Sequence, residues 1–265
     1  MTVSSRVKTA LVAAPVFLGI LFFGGPVLFG LLVAVGAAVG VREYGRIVGG
    51  PEDLLEETFL AGWAGVIALG FLAATPELPT ALLAGGALLY LLAWIVGTGP
   101  AEATLGRWGR AIGGWVWVAF FLGHAVWVRR HGISPVVFVI AVVWAGDTAA
   151  YYVGSAWGSR PLAPRVSPNK SLEGAGASLV AAAALALALG ALLPLPHGPW
   201  ASLLLGVALN AVAQVGDLAE SLLKRCGGVK DSGHLFPGHG GILDRIDGFL
   251  FALPLYAAAL SLWGS

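Results

Sequence analysis

The chain alternates long apolar runs with short polar interruptions. The runs lie near residues 8–23, 26–41, 57–74, 79–97, 110–128, 134–157, 173–193, 199–222 and 243–263. Each is close to the length that crosses a hydrocarbon core as a helix, roughly 20 residues. In lipid a helix satisfies its own backbone hydrogen bonds, so the runs predict helices and not strands. The expected fold is all-α: a polytopic integral membrane protein with about nine transmembrane helices. Breaks at Gly24–Pro26, Thr75–Pro79 and Leu193–Pro199 have the composition of tight turns. The Ala-rich stretch 175–191 suits a closely packed span. The first run follows Arg6 and Lys8, as in a signal peptide, but no small-residue cleavage site follows, so it is expected to be a retained span.

Composition supports this picture. The chain is 58% hydrophobic and 11% charged, with a mean hydropathy of +0.86. A soluble domain carries about 25% charged residues. Its single cysteine, Cys226, excludes an internal disulfide framework. The net charge of +1, with no basic tail, gives no reason to expect a nucleic-acid partner. No soluble domain, linker or repeat stands out. The natural division is residues 1–130, N-terminal transmembrane helices, and residues 131–265, a C-terminal transmembrane catalytic region with its active site at the cytoplasmic face.

Nine spans sort the cations. Of 15 Lys and Arg, only Arg129 and Arg130 fall opposite the N-terminal side. The positive-inside bias then predicts a cytoplasmic N-terminus, an external C-terminus and a multi-pass protein of the cell (inner) membrane.

Charge inside the apolar pattern concentrates in two islands. On the eighth span, Asn210, Gln214, Asp217, Ser221 and Lys224 recur at helical spacing on one face. Asn210 and Gln214 suit interhelical hydrogen bonding. Asp217 needs a cation, and an ionisable residue at membrane depth marks a functional site. The segment 221–247 then packs Lys224, Arg225, Lys230, Asp231, His234, His239, Asp244, Arg245 and Asp247 between apolar runs. Asp244 and Asp247 lie one turn apart at the start of the ninth span. They would cap that helix and pair with Arg245, or, with Asp217, form a hard-oxygen site of the kind Mg²⁺ prefers. The turn Pro237–Gly241 can present backbone N–H groups to an anion. His239 is either a metal ligand or a hydrogen-bonding partner of phosphate or backbone, and His234 is structural or surface. The second island places Asp147 inside a span beside Thr148, Tyr151 and Ser155, followed by a loop with Arg160, Arg165, Ser167, Lys170, Ser171 and Glu173. Topology alone would justify the loop cations. However, three of the chain's four lysines (Lys170, Lys224, Lys230) fall in these islands, and a lysine suits a compact charge on phosphate. His124, His131 and His197 belong to no such constellation and are expected to be structural.

The C-terminal motif resembles the signature of the phosphatidate cytidylyltransferase (CDP-diacylglycerol synthase) family. Ser221, Lys224, Arg225, Lys230, Asp231, Gly233, Pro237–Gly241, Asp244, Arg245 and Asp247 meet that pattern without departure. Residues 214–221, Asp147–Tyr151 and Ser167–Gly174 are also similar, although family members more often have Lys in place of Asn169 and Thr in place of Ser171. The likeness covers residues 140–255 well, and the earlier spans only by hydropathy. It implies transfer of CMP from CTP to phosphatidate, giving CDP-diacylglycerol and pyrophosphate. It implies Mg²⁺ on Asp217, Asp244 and Asp247, with Asp231 near that shell and a second metal ion left open. It also implies Lys224, Arg225, Lys230 and Arg245 on phosphates. Ser167, Lys170, Ser171, Ser221, Asp147, His239, Gly240 and Gly241 would bind substrate. A homodimer is left open. A CTP-dependent polyprenol or lipid kinase and an ion-coupled transporter are the alternatives.

Overall fold

The computed structural model describes residues 3–51, 53–73, 75, 77–97, 100–235 and 240–263. Helices dominate: α1 (Val3–Phe23), α2 (Gly25–Ile47), α3 (Leu54–Gly70), α4 (Glu77–Val96), α5 (Ala101–Gly114), α6 (Phe121–Arg130), α7 (Ile133–Trp157), α8 (Leu172–Leu192), α9 (Pro199–Cys226) and α10 (Leu243–Trp263). Seven helical stretches among the described residues are long and apolar enough to cross a bilayer, so the chain is an all-α, multi-pass membrane protein. α3, at 17 residues, falls short of that length.

Two of the expected breaks, Gly24–Pro26 and Leu193–Pro199, separate helices; of the third, Thr75–Pro79, residue 76 lies outside the described residues and Pro79 falls inside α4. Gly25 adopts φ +66°, a conformation open to glycine, and Pro26 follows in the first turn of α2, where its missing N–H costs nothing. Asp53 caps α3 by accepting from Glu56 N at 2.7 Å. The span expected over 110–128 is longer than the apolar pattern suggested. α5 begins at Ala101 and continues through a π-helical turn, Trp115–Phe120, into α6. Arg107, expected before this span, lies within it, 3.6 Å from Glu56 and stacked over Trp94. The loop after α7 also differs from expectation. It contains an antiparallel pair, β1 (Pro161–Ala163) and β2 (Ser167–Ser171), with an irregular register. Prolines are tolerated because each strand is an edge.

The chain divides into two compact units, Met1–Trp127 with Cys226–Asp244, and Val128–Arg225 with Arg245–Ser265. In the first, α2 packs on α3 through small residues: Ala37, Ala64 and Ala68 are fully buried, and a Cβ on Gly65 would lie 3.5 Å from Ala34 O. Phe59 stacks on Trp63 and Tyr90, and Trp115 closes the cluster edge-on. In the second, α7 and α8 approach so closely that a Cβ on Gly174 would lie 2.8 Å from Ala150 O. Ala182 and Ala186 are buried along α8, as the Ala-rich stretch predicted.

Candidate active site

The second unit holds a cavity of about 390 Å³. α7 contributes Asp147, Tyr151 and Ser155; β2 and the start of α8 contribute Asn169, Lys170, Ser171 and Ser178; α9 contributes Gln214 and Asp217. The hairpin carries Lys170 inward, where its Nζ lies 2.5 Å from Asp217 Oδ2, although without an aligned hydrogen bond. The cation that the sequence required for Asp217 is thus Lys170. Ser171 caps α8 by accepting from Gly174 N at 3.1 Å. Glu173 anchors the other end of the hairpin, accepting from Ser159 Oγ and Arg160 Nε, both at 2.9 Å. Ser167 begins β2, Arg165 is exposed between the strands, and Thr148 bonds back to Trp144 O.

Beneath the charged pair lies a polar knot. Ser178 Oγ and Gln214 Nε2 both donate to Asn210 Oδ1 at 2.9 Å. This is the helix–helix bonding expected of Asn210 and Gln214. Asp247 is not on the cavity wall, but it lies within electrostatic reach of Asp217, Glu220 and Asp147. Its backbone packs on α9 where Gly216 has no side chain; a Cβ there would meet Asp247 O at 2.5 Å.

Two of the motif cations have partners within the chain. Lys224 pairs with Glu220 at 2.6 Å, where the carboxylate is 3% exposed. Arg225 donates to Val166 O at 3.4 Å. Glu220 is a site residue absent from the motif; its one sequence signal is its spacing four residues before Lys224.

In the first unit, Asp244 Oδ2 accepts from Ser232 N at 2.9 Å and from Gly241 N at 2.8 Å, and it lies 2.9 Å from Ser232 Oγ, whose one proton it shares with Glu43. An N–H expected to face an anionic ligand therefore faces Asp244. Gly240 takes φ +80°, and a Cβ there would lie 2.4 Å from the same carboxylate. Glu43 of α2, 5% exposed, accepts from Ser232 Oγ, Ile242 N and Leu243 N. Glu43 lies outside the motif, and its one sequence signal is a carboxylate within a bilayer-length apolar helix. Lys230, Asp231, His234 and Arg245 are exposed, and Ser221 is half-buried. Pro237 and His239 lie outside the described residues.

No group of three or more His, Cys, Asp or Glu among the described residues stands at metal-ligand spacing. Donor type and charge nevertheless fit a hard cation. Asp147, Asp217, Glu220 and Asp247 repel one another, and Lys170 and Lys224 offset only part of that charge.

His197, expected to be merely structural, closes a buried chain. Its Nδ1 lies 2.8 Å from Ser202 Oγ and its Nε2 lies 2.9 Å from Tyr256 Oη. Ser202 donates to Gly198 O at 3.1 Å, so its oxygen accepts from Nδ1–H, and Nε2 accepts from Tyr256. Burial pushes the imidazole below its ordinary value of 6.5.

The chain matches the cytidylyltransferase family across residues 4–263. It is 36% identical over 269 residues to the phosphatidate cytidylyltransferase of Brucella suis biovar 1 (strain 1330), covering 98% of this chain and 93% of that protein. It is 37% identical over 276 residues to the phosphatidate cytidylyltransferase of Pseudomonas aeruginosa, covering 98% of each. That of Bacillus subtilis is 44% identical over 136 residues, 51% of this chain and 50% of that protein. The likeness therefore reaches the N-terminal helices, which the motif alone left to hydropathy. Since it also takes in the cavity and the loop that precedes α10, the chain belongs to the cytidylyltransferase family.

Proposed function

We propose that this protein transfers CMP from CTP to phosphatidate, forming CDP-diacylglycerol and releasing pyrophosphate. The observation that carries this reading is the cavity in which Lys170 faces Asp217 and Asp147 within a bundle of membrane-spanning helices. Such a place gives a lipid phosphate and a nucleotide phosphate one common site, and relatives named for this activity match nearly the full chain. A phosphatidate oxygen attacks the α-phosphorus of CTP, and the bond to the bridging oxygen of pyrophosphate breaks. The attacking phosphate is already an anion at neutral pH, so the site needs positioning and charge neutralisation more than a general base. Lys170, already desolvated beside Asp217, donates to a phosphate oxygen. Asn169 and Ser171 flank it on the same wall. Lys224, Arg225, Lys230 and Arg245 remain proposed phosphate partners.

Asp217 and Asp247 would hold Mg²⁺, and Asp244 remains a proposed ligand from its position one turn before Asp247. When bound, the cation supplies positive charge to the CTP phosphates. Nine spans, with the motif at the cytoplasmic face of the inner membrane, agree with the distribution of Lys and Arg.

Purified protein given CTP labelled in its CMP portion and phosphatidate should yield labelled lipid and free pyrophosphate. Release of CDP with an unlabelled, newly phosphorylated lipid would replace this reading with a CTP-dependent lipid kinase.

A further inference from the structure

Glu43 lies in α2, one of the bilayer-length helices, yet the proposed chemistry gives it no task. It is 5% exposed, and it accepts Ser232 Oγ at 2.8 Å and the amides of Ile242 and Leu243 at 3.0 Å. Those amides open α10, where a helix has unsatisfied donors and favours negative charge. A Cβ on Gly233 or Gly241 would come within 2.5 or 2.2 Å of the Glu43 oxygens, so both glycines keep space for this carboxylate. Ser232 Oγ is also 2.9 Å from Asp244 Oδ2. The one proton of this hydroxyl is thus shared between a carboxylate of α2 and a carboxylate of the motif.

We propose that Glu43 is a positioning residue for nucleotidyl transfer. It fixes the backbone on both sides of the motif turn and, through Ser232, orients Asp244. This rests on the reading that Asp244 takes part in that reaction.

The test uses the full chain in detergent, with steady-state kinetics under Mg²⁺ titration and amide hydrogen exchange on the same preparations. For Glu43→Gln, kcat should fall about ten- to hundredfold, since a charge-assisted acceptor is lost, while KM for phosphatidate stays within about twofold. Half-activation should move to higher Mg²⁺. The amides of Ser232, Ile242 and Leu243 should exchange faster, with α7 and α8 unchanged. Glu43→Asp should recover part of the turnover. Ser232→Ala cuts the bridge but keeps both amide bonds to Glu43. It should lower kcat about tenfold without faster exchange at Ile242 and Leu243. Wild-type kcat and Mg²⁺ half-activation in either Glu43→Gln or Ser232→Ala would overturn the proposal. So would faster exchange throughout the chain in Glu43→Gln, which would make Glu43 a support of the fold alone. If Glu43→Gln does not fold, Ser232→Ala decides. A wild-type protein inert toward CTP and phosphatidate sinks the functional reading, and this role with it; an active wild type with unaffected variants sinks only the role of Glu43.

Discussion

Lys170 and Asp217 are the residues on which the proposed chemistry depends most directly. Each neutralises the other at 2.5 Å, so removing one leaves an uncompensated charge as well as a lost function. Asp217→Asn should reduce turnover by roughly a hundredfold or more while the protein stays folded in detergent, as expected for a lost preorganised charge. Lys170→Ala should cost about ten- to hundredfold in kcat/KM, from one charge-assisted hydrogen bond. Near-normal activity in either variant would detach the cavity from the reaction. Gly146 offers a different measurement. A Cβ there would lie 1.8 Å from Asn210 Nδ2 and 2.7 Å from Ser178 Oγ. Gly146→Ala should therefore lower stability by about 1–3 kcal/mol through overpacking, read as a drop in thermal midpoint. Asn210 and Gln214 were legible as a polar helix stripe. Their dependence on Gly146 was not, because it joins helices separated by more than sixty residues.

At the scale of elements, α9 shows how one periodic stripe serves two ends. Its middle carries the polar knot and Asp217, and its C-terminal turn carries the Glu220–Lys224 pair. Breaking one side of such a buried pair costs about 3–5 kcal/mol. Lys224→Ala should therefore destabilise the protein, and Glu220→Gln added to it should restore the thermal midpoint. If Lys224 also meets phosphate, kcat/KM of the double variant stays about ten- to hundredfold low. Recovery of both quantities would assign Lys224 to Glu220 alone. The α8–α9 connection holds His197 between Ser202 and Tyr256, and burial lowers its affinity for a proton. Near and below 6.5 the unfolded chain binds this proton more readily than the folded chain, so the contribution to stability is full above that value and declines as pH falls through it. Thermal midpoints measured from pH 7.5 to 5.5, at values chosen on either side, should fall toward acid, and less so in His197→Gln. Equal slopes in the two proteins would remove His197 as the cause.

Across the whole molecule, the strongest sequence-level constraint is the distribution of Lys and Arg: the proposed nine-span arrangement would leave only Arg129 and Arg130 on the side opposite the N-terminus. A C-terminal reporter active only in the cytoplasm should stay silent, while one at the N-terminus is active. A bright C-terminal signal would require an even number of spans. The helices themselves were legible because a bilayer-length apolar run has one stable solution, a helix with all its backbone bonds internal. The motif residues were legible because charge is costly among such runs. The hairpin 161–171 was not, since its short strands are set by cross-strand bonds that proline-rich sequence conceals.

Sequence alone therefore determined the all-α membrane architecture, the turns at Gly24–Pro26 and Leu193–Pro199 and the stripe of α9, each of which follows from local periodicity or from the solvent each residue must meet. Only the tertiary structure decided the partners of the charges: Lys170 for Asp217, Glu220 for Lys224, and Ser232 with Gly241 for Asp244. It also decided that Glu43, some two hundred residues upstream, meets the start of α10. A carboxylate carries no mark in sequence of which donor it will meet. That pairing is fixed by packing, which brings distant backbone N–H groups and side chains within hydrogen-bonding distance only where small residues let the helices approach.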